Sequence, residues 1–334
     1  MRIAVTGSIA TDHLMIFPGR FADQLLPDQL AHLSLSFLVD ELEVRRGGVA
    51  ANIAFGLGCL GLSPQLIGSV GHDFAEYGLW LKEHGVDTGP VHVSATRQTA
   101  RFMCLTDQDG NQIAAFYAGA MAESADIGLP DAVAGSSRPD LVLVCPNDPG
   151  AMLRITRECR ERDIPFAADP SQQLARLDGA EVRELVDGAR WLFTNEYEKA
   201  LVLERTGWTE ADILGKVGAW VTTLGAAGVR VDRRSKAPIT VPAVPGARSV
   251  DPTGVGDAFR AGFLTALSHD LSLPTAARLG CVLAASALET VGSQAYEVDA
   301  DRLTRVFEDA YGAGAAQEIA GLWAYWFSAG GSRS

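Results

Sequence analysis

The run Asp251-Pro252-Thr253-Gly254-Val255-Gly256-Asp257-Ala258-Phe259 sets a proline and two spaced glycines ahead of a helical pattern over residues 258–268. The backbone N–H groups of Gly254, Val255, Gly256 and Asp257 would converge at that helix start, where the macrodipole is positive, and form an anion hole. The Asp257 carboxylate then stands where it meets an incoming hydroxyl. Capping a helix is an ordinary role for Asp, but a cap does not require two glycines just upstream. A second run, Gly47-Gly48-Val49-Ala50-Ala51-Asn52, follows a strand-like segment and opens a helix. Its glycines would let the backbone approach a ligand, and Asn52, in about the first helical turn, can donate and accept. A plain loop and helix start explains the same residues equally well. A third run, Gly56-Leu57-Gly58-Cys59-Leu60-Gly61, is a literal GxGxxG. It ends a helical pattern and precedes a strand, whereas the dinucleotide fingerprint follows a strand and opens a helix. It reads as small residues for packing with a glycine stop, which sets aside a nicotinamide dehydrogenase.

The frame that must position these runs is an alternation of short apolar strands and amphipathic helices. Strand-like runs at 2–6, 66–70, 141–145, 166–168, 191–194 and 220–224 alternate with helical patterns at 74–84, 149–162, 178–186 and 196–205, and residues 254–327 read as nearly all helical. Continuous apolar strands between helices imply a doubly wound, mostly parallel α/β sheet covered on both faces. Two segments have period-two alternation instead. One, within residues 13–45, includes a predicted strand at 34–45; the other, 95–119, carries two alternating runs around Asp107-Gln108-Asp109-Gly110, a hairpin signal. The expected organisation is an α/β core over 1–12, 46–94 and 120–334, with a small inserted β-sheet lid from 13–45 and 95–119.

The chain has 334 residues, 47% hydrophobic and 21% charged, with 28 Lys and Arg against 41 Asp and Glu. A net charge of −13 repels phosphate backbones and argues against nucleic acid as a partner. The five cysteines, Cys59, Cys104, Cys145, Cys159 and Cys281, form no CxxC pair and read as small buried apolar residues of a reducing compartment. No apolar run is long enough to cross a bilayer, and the first residues do not read as a signal peptide. These features predict a cytoplasmic protein with no membrane partner.

GGVAAN and DPTGVGDAF together resemble the two signatures of the ribokinase-like (PfkB) carbohydrate and nucleoside kinases, and FAADPSQQLARL, LFTNEYE and VTTLG resemble its bacterial adenosine kinases. The resemblance implies transfer of the ATP γ-phosphate to the 5′-hydroxyl of adenosine, with Asp257 as base and Gly254, Val255 and Gly256 in the anion hole. It implies that Asp12, Gly48 and Asn52, with Ser8 nearby, meet the ribose hydroxyls, and that Ser36 projects from a lid strand. Phe102 and Phe116 match aromatics that sandwich adenine; ordinary core is the alternative. Asn195 and Glu198 match the NxxE pair that organises Mg²⁺ through water; a helix cap with a surface Glu is the bland alternative. Thr223, Gly225 and Gly228 match the nucleotide segment. Ribokinases usually show Asn and then Arg after Asp-Pro, whereas here Gln172 and Gln173 follow, with Arg176 beyond. The amides suit a purine, and Arg176 is either a phosphate contact or a solvated cation. The resemblance also implies a homodimer joined through the lids, and leaves a monovalent cation such as K⁺ open. The rival readings are another sugar or nucleoside kinase (for ribose, fructose, inosine or guanosine) and a non-catalytic nucleoside-binding regulator.

Overall fold

The computed structural model describes residues 1–24, 34–129 and 138–328, with side chains through Leu322. An eight-stranded sheet runs in the order β14-β13-β12-β11-β10-β9-β1-β4. From β4 to β12 these strands are Gln65–Ile67, Ile3–Thr6, Leu141–Val144, Phe166–Ala168, Trp191–Asn195 and Ala219–Thr223, all parallel. The antiparallel β13 (Val229–Asp232) and β14 (Ile239–Val241) finish one edge.

Successive strand residues feed opposite faces, as a sheet buried on both sides requires. Val5, Leu143 and Phe193 join Phe259, Phe263 and Leu283 in one core. Ala4, Val142, Val144 and Trp220 join Met152, Val182 and Val202 in the other. Helices Val49–Cys59, Val255–Ser268 and Leu273–Leu288 therefore cover one face, and Pro149–Glu161, Gly179–Val186 and Glu196–Thr206 the other. The expected doubly wound α/β fold is what forms. The GxGxxG run lies at the end of helix Val49–Cys59, where Gly56 packs on Tyr296 and Ala261, as the packing reading expects.

A second sheet has the order β3-β2-β7-β8: Glu41–Gly47, Ala10–Ile16, Ala100–Thr106 and Gln112–Tyr117. A two-stranded parallel pair, β5 (Ser69–Val70) with β6 (His92–Val93), lies apart from it. The Asp107–Gly110 hairpin joins β7 to β8 as the sequence predicts. Elsewhere this lid departs from expectation. No strand begins at Ser34: residues 34–39 are irregular and β3 starts at Glu41. The alternation is real, since Leu35, Phe37 and Val39 are half-buried while Ser36 and Leu38 are exposed, but a strand needs a partner edge, and Met15–Ile16 pair with residues 41–42 instead. Ser36 therefore projects from a loop, and Phe37 packs edge-on against Phe17 and Phe21, at 5.0 and 5.2 Å. The strands also reach further in than residues 13 and 45: β2 starts at Ala10 and β3 ends at Gly47, so Asp12 belongs to the sheet. Cys104, Cys145, Cys159 and Cys281 are buried and Cys59 is half-buried.

Candidate active site

Parallel α/β sheets bind ligands beyond the carboxyl ends of their strands. Here Ser8, Asp169, Asn195 and Thr223 all lie at that edge, and Asn195 pairs in register with Thr223. Helix Val255–Ser268 begins there too. Its N-cap is Gly254 at φ 77°, a left-handed turn where a Cβ would also strike Ser293, so only glycine fits. No side chain caps this helix. Asp257 sits in the first turn and points elsewhere, which rules out the capping role. The first-turn N–H groups of Gly256 and Asp257 have no intrahelical acceptor, as at any helix start. Val255 donates only a long 3.4 Å bond, to the Pro252 carbonyl.

Asp257 Oδ2 accepts a 2.8 Å hydrogen bond from Asn52 Nδ2. Burial pushes this carboxyl up to about 6, Arg260 and the Asn52 bond pull it down, and Glu198 pushes it up. Asn52 was expected to serve the ribose; its side chain donates to Asp257. Ser8 departs likewise. Its Oγ accepts from the Val49 N–H at 3.0 Å and its carbonyl from Ala51, so it caps helix Val49–Cys59, whose N-cap Gly48 (φ 94°) has no side chain to do so. That second helix start is thereby partly satisfied by protein, whereas the helix start at Gly254–Asp257 has no side-chain cap.

Behind Asp257 is a buried charge the sequence reading missed. Arg260 is 7% exposed and Asp169 0%. Arg260 Nη2 donates to Asp169 Oδ1 at 2.7 Å, Nε lies 2.6 Å from Oδ2, and Nη1 donates to the Gly256 carbonyl at 2.9 Å. A lone Arg in the otherwise apolar stretch AFRAGFLTAL was the available signal.

On the lid the register puts Asp12, Arg45, Phe102 and Phe116 in one cross-strand row, hence on one face. Burial pushes Asp12 up to about 6 against the pull of Arg45 and with the push of Asp251. Arg45 reaches across to the core, donating to Asp251 Oδ2 at 3.3 Å. Burial opposes the Asp251 charge, but hydrogen bonds from Thr253 and Gly292, with Arg45, outweigh it and hold that carboxyl below its ordinary value. Phe102 and Phe116 are direct cross-strand neighbours on the same face. They form a single aromatic wall, so the two-sided sandwich expected of them is not available.

Asn195 and Glu198 form a reciprocal capping box: the Asn195 N–H donates to Glu198 Oε2 and the Glu198 N–H to Asn195 Oδ1, each at 2.8 Å. Thr223 ends β12, and the Gly225–Ala227 turn and Gly228 follow. Gly228 lies against Val241, Pro242 and Ala243. Next to these a cavity of about 190 Å³ opens between Val244–Gly246, Ala285, Ser286 and Arg302, a feature with no sequence signal. Gln172, Gln173 and Arg176 do not share a face: Gln172 and Arg176 are exposed and Gln173 is buried within a 3₁₀ turn.

Comparison with known proteins fits this geometry. Residues 6–300 match the pfkB family carbohydrate kinase model. A nucleoside kinase of Methanocaldococcus jannaschii is 28% identical over 250 residues, covering 74% of this chain and 80% of that one. The ribokinase of Bacillus subtilis is 27% identical over 254 residues, covering 74% and 83%. The structure of Burkholderia thailandensis nucleoside kinase in complex with inosine superposes with a TM-score of 0.81 at 34% identity, covering 93% of this chain and 99% of that one. The chain belongs to the pfkB carbohydrate kinase family, with the ribokinase-like fold, and is an ATP-dependent kinase.

Kinases of this family use ATP and usually Mg²⁺. Among the described residues no three His, Cys, Asp or Glu side chains gather to hold a metal. The donor set suits a magnesium ion held mostly by nucleotide oxygens and water, with Glu198 Oε1 the one carboxylate oxygen outside its capping box. Among the described residues, no helix is long and apolar enough to cross a membrane.

Replacing Asp169 with Asn leaves the Arg260 guanidinium buried without its counter-charge. Asp169→Asn should lower unfolding free energy by about 3–5 kcal/mol, measured by urea denaturation; a loss under about 1 kcal/mol, the worth of an exposed pair, would show the pair to be unimportant.

Proposed function

We propose that the chain is a nucleoside kinase that transfers the γ-phosphoryl group of ATP to the ribose 5′-hydroxyl, with purine nucleosides as acceptors. The row of Asp12, Phe102 and Phe116 on one lid face carries this reading. A carboxylate for two vicinal hydroxyls stands beside a wall of two rings, and a free sugar has no use for the wall. The inosine complex of the Burkholderia relative supports an acceptor range broader than adenosine alone.

In this reading Asp12 accepts hydrogen bonds from the 2′- and 3′-hydroxyls beside the Gly48 backbone, and the base lies on Phe102 and Phe116. The 5′-oxygen faces Asp257 and bonds to the γ-phosphorus as the bond to the ADP oxygen breaks; its proton passes to the carboxylate. Phosphoryl transfer is loose, so that proton is needed late and positioning dominates. The Gly256 and Asp257 N–H groups meet charge on the transferring group. Thr223, Gly225 and Gly228 approach the donor nucleotide, whose base suits the cavity at Val244. Glu198, with Asn195 fixing it, would hold Mg²⁺ through water; when bound, the ion offsets phosphate charge.

The test is ADP release over a panel of adenosine, inosine, guanosine, cytidine, ribose and fructose. Purine nucleosides should lead in kcat/KM; ribose or fructose in the lead would overturn the reading. Asp257→Asn should retain nucleoside binding and lose turnover by about 10²–10⁴-fold, the range for general base catalysis.

Burial has raised both Asp12 and Asp257 to about 6. Each is ionised above that value, where Asp257 can take a proton and Asp12 offers both oxygens to the paired hydroxyls. Thus kcat/KM should fall as pH drops through about 6; a profile flat to about pH 5 would contradict both roles.

The other lid face carries Leu42, Val44, Ile113 and Tyr117, which are 60%, 55%, 48% and 43% exposed and opposite the Asp12 row in register. A second copy of the chain is the cover we assign to it, since a sheet this thin seldom leaves such a face in water. Val44→Asp should shift light scattering from dimer to monomer; a wild type that is already monomeric at micromolar concentration with full activity would exclude the dimer.

A further inference from the structure

Four buried polar side chains behind the site have no part in the reaction as described. Tyr77, Gln294, Ser293 and Asn52 are 5%, 5%, 3% and 5% exposed. They come from separate elements: Tyr77 from helix Ala75–Glu83, Asn52 from helix Val49–Cys59, and Ser293 and Gln294 from the loop after helix Leu273–Leu288. Tyr77 Oη donates to the Gly47 carbonyl at 2.8 Å. Gln294 Nε2 donates to Tyr77 Oη at 2.5 Å and to Asn52 Oδ1 at 2.9 Å. Ser293 Oγ lies 3.0 Å from Asn52 Oδ1. Asn52 Nδ2 donates to Asp257 Oδ2.

The sense of these bonds is set from one end. A backbone carbonyl can only accept, so the Tyr77 hydroxyl gives its single proton to Gly47. The Tyr77 oxygen must then accept, which turns the Gln294 amide nitrogen toward it. The second N–H of that nitrogen goes to Asn52 Oδ1, and Asn52 is left with only N–H groups to offer Asp257. Turning Asn52 over would bring its amide oxygen against the carboxylate, and turning Gln294 over would set its oxygen against Tyr77 Oη and Asn52 Oδ1, neither of which has a proton to give it. Ser293 packs against Gly254, and its one hydroxyl proton is shared between Asn52 Oδ1 at 3.0 Å and the Arg46 carbonyl at 3.2 Å, so the order is set by Tyr77 and Gln294.

We infer that Gln294, supported by Tyr77, is a positioning residue that locks the Asn52 amide with its nitrogen toward Asp257, so that Oδ2 is held and Oδ1 is the oxygen that takes the acceptor's proton. The inference rests on the proposed role of Asp257 as base. The groups that face Asp257 are Arg260 on its own helix, Glu198 from helix Glu196–Thr206, Asn52 from helix Val49–Cys59, and, further off, Asp169, Cys145, Tyr77 and Tyr296. Of these only Asn52 makes a hydrogen bond to the carboxylate, and that bond favours its charged form.

The experiment compares Gln294→Met, close in volume and without donors, and Tyr77→Phe with the wild-type chain and Asp257→Asn. Steady-state pH profiles are paired with a ¹³C NMR titration of the Asp257 carboxyl, assigned by its loss in Asp257→Asn. With the amide free to turn, Gln294→Met should move the acid limb of kcat and the carboxyl titration up together by about one pH unit. It should lower kcat at neutral pH by about tenfold with little change in nucleoside KM. Tyr77→Phe should act in the same direction and less. If limb and titration stay put in both variants, and any activity lost tracks the folded fraction by thermal melt, the inference is overturned and the side chains only fill space. Turnover surviving in Asp257→Asn would instead remove the base assignment, and the carboxyl titration would still decide the hydrogen-bond chain.

Discussion

A guanidinium taken out of water needs negative charge around it, and Arg260 gathers what the site then uses. Removing an ion from solvent costs several kcal/mol even after relaxation, so the pair must be tightly made. Asp169 makes it from the end of β10, and the Gly256 carbonyl accepts a further hydrogen bond from Nη1. This ties the first turn of helix Val255–Ser268 to the carboxyl edge of the sheet. The same positive charge opposes the burial that raises Asp257, and Glu198 pushes the other way. Arg260 thus ties the first helical turn to the sheet edge and, with the Asn52 hydrogen bond, lowers the carboxyl that burial raises.

Among the described residues the lid is held to this centre by charge at three places, one of them Arg46 on β3 with Glu76 of helix Ala75–Glu83 at 3.4 Å. Arg45 on β3 reaches Asp251 at the start of the anion loop. Asp73, outside the lid, accepts from the Thr99 N–H at 2.9 Å and from Arg101 Nη2 at 2.8 Å at the root of β7. Burial works against the Asp73 charge, but these bonds overcome it and hold the carboxyl at about 2. The ties set where Asp12 stands, and among the described residues no donor hydrogen-bonds to its carboxylate. Its oxygens lie instead against the bare Cα of Gly47, where a Cβ would come within 3.0 Å. A carboxylate so placed, half-desolvated and short of donors, is suited to paired hydroxyls.

The sequence made the parallel core and both glycine signatures readable because these depend on local pattern: apolar runs, hairpin residues, a helix start without a cap. It misplaced the strand at 34–45 because alternation describes exposure, which those residues do show, whereas a strand also needs a neighbouring edge. Ser8 looked like a ligand contact, and its role as the missing cap for Gly48 appears only once residues 41 apart in sequence meet. Asp169 and Arg260 are 91 apart, and Asn52 and Gln294 are 242 apart. No spacing rule reaches across such distances, so the side chains that contact and surround Asp257 were illegible while Asp257 itself stood out in its glycine-rich run.

Asn52 shows why the two levels of reading can both be right about a residue. An Asn in a glycine-rich helix start beside a sugar site was expected to serve the ribose. Its oxygen is taken by Gln294 and Ser293, and one N–H by Asp257. One N–H is left, and it can only donate. Under the proposed function, the acceptor hydroxyl would meet a donor in the free N–H of Asn52 and an acceptor in Asp257, with no second acceptor on the amide to compete for its proton. The amide and the carboxylate divide the hydroxyl between them, and the division follows from a carbonyl three hydrogen bonds behind Asn52.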